Sequence, residues 1–217
     1  MKTELLSHFG NDLMIVNAAR VSFGKNKTIF DENDIKLIKY LKEHKHTSVF
    51  RHPSLQFRIT CPIYVERQLF KHQVGLNANS ISGRYVDFSD SYFVFKKGEW
   101  REQSKNSKQG SAGLLDNEKQ DQCTEIQDKV IKTCMNAYRE LLELGVSKEQ
   151  ARSILPLCLN TTFIWTGSLL AFLHMWSLRL KPDAQQETRE IAQSMLDLVK
   201  NIEGNPFKFT LEAFGLT

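Results

Sequence analysis

Little in the sequence advertises a function. No apolar run approaches the ~20 residues that a membrane span needs; the longest, Leu169–Trp176, is interrupted by His174. The opening MKTELLSHFGND lacks the apolar core of a secretory leader, so the expected compartment is the cytoplasm, with no membrane partner. Cys61, Cys123, Cys134 and Cys158 form no CxxC pair, which excludes the common zinc and dithiol motifs and leaves reduced thiols as the expectation. Lys plus Arg number 29 against 25 Asp plus Glu, a net charge of +4. That is too mild for a protein that wraps nucleic acid; a small anionic ligand is compatible with it. A P-loop, a Rossmann glycine motif, a GxSxG elbow and an HExxH helix are all missing, and there is no internal repeat.

What is present is an ordinary globular balance. The 217 residues are 41% apolar and 25% charged, which suits one domain over 1–217 and excludes collagen, rods and bulk disorder. Residues 96–118 are polar and glycine-bearing and read as a mobile loop. Periodicity predicts helices over 11–23, with Asp12 as a possible cap, and over 34–44. Leu55, Phe57 and Ile59 alternate with polar neighbours, a half-buried strand over 54–60. Pro62 suits the first turn of a helix through 63–72. A loop over 75–83 and a strand over 92–95 follow. The second half reads as a helix over 119–144 through Ile126, Val130, Cys134, Tyr138 and Leu141, stopped by Gly145. A capping box of Ser147 and Gln150 opens the next helix. An extended stretch over 157–165 leads to a helix capped by Thr166 and ending at Arg179. Helices to about 202 and over 206–214 close the chain. The fold class is α+β, a small, mainly antiparallel sheet with a large helical portion.

Four features could carry chemistry. Glu66–Gln73 is a helix end rich in Arg, Gln, Lys and His that runs into the Asn-, Ser- and Gly-rich stretch 74–85. Hydroxyls, loop N–H groups and Arg84 there make an anion cradle; the same residues also read as a solvated helix end with a polar turn. His44, His46 and His52 lack an obvious further ligand, so no metal is expected and polar groups at a pocket edge are the better reading. Arg152 is a lone cation on an apolar helix, where snorkelling is the plain alternative. Arg179 ends an apolar helix, where it could simply complement the helix dipole.

Taken together, five segments in order resemble the flavin-dependent thymidylate synthase family (ThyX). NDLMIVNAARVSF resembles its opening helix and HKHTSVFRH its H-x-[ST]-x-F-x-H segment. CPIYVERQLFKHQ followed by NSISGRY resembles its signature stretch. EQARSILPL and FIWTGSLLAFLHMWSLR resemble its substrate-binding half, and DAQQETREIA follows in place. The signature RHR is Lys71-His72-Gln73 here. The interval to Arg84 is one residue longer, Ser80 stands where an acidic residue is usual, and Arg51 where glutamate is. The resemblance implies a homotetramer with FAD at subunit interfaces and C5 methylation of dUMP to dTMP. Methylenetetrahydrofolate would supply the carbon and NADPH-reduced FAD the hydride. It places dUMP against Gln68, Lys71, Ser80, Ile81, Ser82, Gly83, Arg84, Arg152 and Arg179, with Arg179 catalytic. It places FAD against His46, Ser48, Lys71, His72, Gln73, Asn79, Ser168 and His174. The departures leave open a different pyrimidine nucleotide, such as dCMP, or a hydroxymethyl product. A nucleic-acid-binding module using Lys71, Arg84 and the stretch 96–108 is the weaker reading, because no stacking motif accompanies the charge.

Overall fold

A computed structural model describes residues 1–86, 91–105 and 110–216. Its centre is a four-stranded antiparallel sheet in the order β1-β2-β6-β3, built from β1 (Lys2–Phe9), β2 (Ser54–Pro62), β6 (Asn160–Ser168) and β3 (Leu76–Ser80). The alternation of β2 is the reason it lies there. Leu55, Phe57, Ile59 and Cys61 are buried on one face with Phe163 and Trp165 of β6. On the other face polar cross-strand pairs meet, Gln56 with Thr166 at 2.9 Å and Thr60 with Thr162 at 2.8 Å. One face packed and one polar is the usual state of an antiparallel sheet.

Two helices cover the apolar face. Helix α6 (Leu169–Arg179) is apolar almost all round, and Phe172, Leu173, Met175 and Trp176 are buried in the core. Helix α7 (Gln186–Lys200) contributes Ile191, Met195, Leu196 and Val199, and Trp176 donates its indole N–H to the Ala192 carbonyl at 3.0 Å. Helices α1 (Asp12–Arg20), α2 (Glu32–Glu43) and α8 (Lys208–Ala213) complete this layer, and α3 (Ile63–Leu69) follows β2 directly. Helix α4 (Asn117–Glu143) packs with α5 (Lys148–Ala151) around a separate small cluster of Ile131, Met135, Tyr138 and Ala151. A hairpin of β4 (Arg101–Gln103) and β5 (Ser111–Leu114) lies before it.

Several local expectations are corrected. Asn11, not Asp12, caps α1, accepting from the Met14 N–H at 2.9 Å. Asp12 is buried instead and accepts from the backbone N–H groups of Phe209 and Thr210 at 2.8 and 3.2 Å, so it caps α8 from across the chain. Ser168 rather than Thr166 caps α6, because β6 continues through Thr166 and Gly167 paired with β2. Ser147 and Gln150 form no capping box; their side chains meet each other at 3.5 Å and α5 is four residues long. The stretch 75–83 contains β3, and 92–95 makes a single bridge, Tyr92 to Leu159. The stretch expected as a loop carries the β4–β5 hairpin; its residues 106–109 lie outside the described residues. On α4 the buried row is Ile131, Met135 and Tyr138, while Ile126 is 63% exposed. Both rows obey helical spacing, and only the neighbour α5 selects between them. β1 carries no strand signal of its own: its side chains alternate poorly, and its partner β2 makes it a strand.

Candidate active site

The site forms where three chain segments converge at one end of β6. Helix α3 ends at Leu69, and its last turn tightens through Lys71 and His72, whose N–H groups bond to the carbonyls of Gln68 and Leu69 at 3.3 and 3.0 Å. The chain then reverses at Gly75, which sits at φ +75°, a conformation that a side chain resists. The Gly75 carbonyl accepts from the Ser168 N–H at 3.2 Å. This approach is possible because residue 167 is glycine: a Cβ there would lie 2.4 Å from that carbonyl oxygen. The Lys71–Gln73 corner is thereby pinned to the junction of β6 and α6.

A cavity of about 310 Å³ opens at this corner, lined by Lys71, His72, Gln73, Val74, Leu76, Ala171 and His174. Arg179, at the end of α6, reaches the cavity-lining His72. Its Nε donates to His72 Nε2 at 2.9 Å, and a terminal nitrogen lies 3.5 Å from the Gln68 carbonyl. His72 meets His174 edge-on, ring centres 6.1 Å apart. Burial, the Arg179 guanidinium and His174 push the His72 pKa down to about 4. The ring is therefore neutral near pH 7. Since Nε2 accepts from Arg179, the proton sits on Nδ1, which becomes a donor.

Gln68 does not point freely into solvent. Its Oε1 accepts from the Thr188 hydroxyl at 2.9 Å, and its Nε2 donates to Gln185 Oε1. Gln185 Nε2 in turn donates to Glu187 at 2.8 Å, and Glu187, 2% exposed, is salt-bridged by Arg101 at 2.5 Å. Nothing in the sequence alone assigns a role to Gln185, Glu187, Thr188 and Arg101. The available signal was a glutamate in register with the apolar stripe of α7, which only a buried partner can accommodate.

The other expected residues divide. Ser168 caps α6 beneath the corner, its Oγ accepting from the Ala171 N–H at 3.3 Å. Asn79 lies on β3, opposite Ile164 and about 10 Å along the strand from Leu76. Ser80 donates to Glu66 at 2.7 Å; an acidic residue in its place would set two carboxylates together. Burial raises the Glu66 pKa. Ile81 bonds through its N–H to the Thr162 carbonyl at 2.9 Å, and Gly83 is buried. Ser82 Oγ accepts from the Arg84 N–H at 3.3 Å, and the exposed Arg84 guanidinium lies 5.2 Å over the Tyr85 ring. Arg152 is exposed beside α5, with Nε 3.4 Å from the Glu149 carbonyl. His46 and Ser48 are exposed in the short turn after α2. Of the expected residues, Lys71, His72, Gln73 and His174 line that cavity; Arg179 adjoins it through His72 and the Gln68 backbone carbonyl; Ser80, Ile81, Ser82, Gly83, Arg84, Arg152, His46, Ser48, Asn79 and Ser168 do not line it. The three histidines of the 44–52 segment form no three-ligand metal group among the described residues; His44 stacks on Tyr40 with ring centres 3.9 Å apart.

Residues 4–203 match the family model described as "Thymidylate synthase complementing protein". A flavin-dependent thymidylate synthase of Thermus thermophilus is 41% identical over 198 residues, covering 90% of this chain and 70% of that one. One from Kosmotoga olearia is 36% identical over 197 residues, 91% and 84% of the two chains. Among solved structures, PolB of Streptomyces cacaoi, a UMP/dUMP methylase with bound 5-Br dUMP, superposes with a TM-score of 0.87 at 27% identity, over 99% of this chain and 94% of that one. Sequence and fold agree: the chain belongs to the family of flavin-dependent thymidylate synthases.

Proposed function

We propose that this protein methylates dUMP at C5 to give dTMP, with methylenetetrahydrofolate as carbon donor, FAD as cofactor and NADPH as its reductant. The observation that carries the reading is the Arg179–His72 contact at the mouth of the cavity. Uracil C5 is a weak nucleophile until the ring gains enolate character. A fixed cation at the pyrimidine oxygen stabilises that charge as it develops. Arg179 suits this: its Nε is held by neutral His72, one terminal nitrogen makes only a weak 3.5 Å approach to the Gln68 backbone carbonyl, and the planar guanidinium has further N–H groups to donate to the base. Gln68 borders the same edge. Lys71, the loop Ser80-Ile81-Ser82-Gly83-Arg84 and Arg152 are assigned to the rest of dUMP, with Arg84 and Ser82 at the phosphate.

The cavity residues fit a flavin. Val74, 93% exposed, and Leu76 give an apolar wall, while Lys71, Gln73 and His72 Nδ1–H give donors for ring oxygens and nitrogens. When bound, the flavin supplies the two-electron reduction. His46, Ser48, Asn79, Ser168 and His174 are the further residues assigned to it. The exposure of Arg84, Arg152, His46 and Ser48 away from the corner supports a homotetramer in which neighbouring copies complete each site. No helix among the described residues is long and apolar enough to cross a membrane, and the cytoplasm is the proposed compartment.

The test is anaerobic turnover with FAD, NADPH, methylenetetrahydrofolate and either dUMP or dCMP, with mass analysis of the nucleotide. The expected product is dUMP gaining one methyl group. A hydroxymethyl product, or turnover of dCMP alone, refutes the assignment. Saturating FAD should also raise the melting temperature and give a flavin absorbance on the protein; failure of both refutes the cofactor.

A further inference from the structure

We propose that Glu187 is a positioning residue that sets base selectivity by locking the Gln68 carboxamide in one orientation. This rests on the reading that the pyrimidine lies against Gln68 and Arg179. A glutamine side chain has two ends of nearly equal shape, one donating and one accepting, and a free one can flip to suit either a uracil or a cytosine edge. Uracil offers a carbonyl beside an N–H; cytosine offers an amino group beside a bare nitrogen, the opposite order. Here the flip is prevented by a chain of bonds with one possible direction. Glu187 is buried and paired to Arg101 at 2.5 Å, with a second Arg101 nitrogen 3.0 Å from Gln186 and Nε 3.0 Å from Ser111. A salt-bridged carboxylate only accepts. The Gln185 amide must therefore turn its nitrogen to Glu187, as it does at 2.8 Å, leaving its oxygen for Gln68. Gln68 must then turn its nitrogen to Gln185, and its oxygen meets the Thr188 hydroxyl at 2.9 Å. One N–H and one oxygen lone pair of Gln68 remain, at positions that cannot exchange. A site so locked matches one base order and opposes the other, and for a dUMP methylase that order is the one of uracil.

Binding of dUMP and of dCMP to the FAD-loaded protein, measured by calorimetry, gives the readout as a ratio of affinities. The parent should favour dUMP. Glu187→Gln supplies a donor as well as an acceptor, so the chain loses its direction and the ratio should fall about tenfold, the worth of one mispaired buried group. Glu187→Asp, still acceptor-only, should keep more of the ratio than Glu187→Gln. Gln185→Leu breaks the relay between Glu187 and Gln68, leaves the Arg101–Glu187 pair intact and should also lower the ratio; it carries the test if Glu187→Gln does not fold. A merely structural role would weaken both nucleotides alike. Parental ratios in folded Glu187→Gln and Gln185→Leu overturn the proposal, as does a parent that binds dCMP as well as dUMP. Parental dUMP affinity in Gln68→Ala would instead remove the base from Gln68, and with it the placement on which the proposal rests.

Discussion

Replacing Arg179 separates the catalytic reading from the structural one. Arg179→Ala deletes one charge-assisted hydrogen bond, the 2.9 Å contact to His72 Nε2, and a weak 3.5 Å approach to the Gln68 carbonyl. The folding loss should be ~1.5–3 kcal/mol from the bond, including ~0.3–1 kcal/mol of helix-dipole interaction at the end of α6. Loss of one preorganised stabilising group costs about 10²–10³ in rate. The two free energies are similar in size, so melting temperature alone decides nothing. The assay is single-turnover methyl transfer at saturating dUMP, normalised to folded protein, alongside NMR titration of His72. Of the causes that hold His72 near pKa 4, burial comes first, then Arg179, then His174. In Arg179→Ala the His72 titration should move up without reaching the ordinary histidine value, since burial persists. Arg179→Lys should keep much of the depression, because the charge remains, yet stay slow, because an ammonium has no planar fork. A destabilised Arg179→Ala with parental single-turnover rate defeats the catalytic role. An unmoved His72 titration defeats the contact itself.

Three further outcomes follow from the same geometry. Arg84 is exposed and its guanidinium lies over the Tyr85 ring among the described residues, so Arg84→Ala should leave the melting temperature within about a degree while weakening dUMP binding by roughly 2–4 kcal/mol; unchanged affinity in a calorimetric titration removes Arg84 from the phosphate. Gly167→Ala should cost ~1–3 kcal/mol of stability by overpacking and loosen FAD, since its Cβ meets the Gly75 carbonyl and Leu76 at 2.4 Å; denaturant melts and flavin titration read both, and a neutral substitution would mean that the corner is not pinned there. The folded pKa of His72 is depressed from 6.5 to about 4, so its neutral form is favoured in the fold. The associated stability is present above pH 6.5 and lost as pH falls through 4. Relative to His72→Asn the parent should lose ~1–2 kcal/mol over that window, a value already reduced for solvent screening at a half-exposed ring. Asp12, raised to about 6, acts in the opposite sense and cancels in the difference. A pH-independent difference between the two proteins would refute the depressed titration.

The parts of this protein legible in one dimension are those governed by local periodicity or by residues close in sequence. The alternation Leu55, Phe57, Ile59 commits β2 to a half-buried strand because its period is two, whatever it packs against. The apolar density of α6 commits it to the core, and Pro62 and Gly145 mark element ends by their backbone limits. The segments KHQ and FIWTGSLLAFLHMWSLR supply the side chains of the corner and Arg179 beside it, whereas SISGRY lies outside the cavity lining. Tertiary structure decided what depends on partners remote in sequence. β1 and β3 are strands because β2 and β6 offer unpaired edges, not because their own side chains alternate. The buried row of α4 was chosen by α5. Asp12 became the cap of a helix nearly 200 residues away because folding brings α8 to it. The depressed titration of His72 comes from burial first and then from the guanidinium of residue 179. The direction of the Gln68 amide needs a carboxylate more than 100 residues on, reached through Gln185. Local spacing decides which side chains share a face; charge state and hydrogen-bond direction are set only when distant groups are brought within about 3 Å of one another.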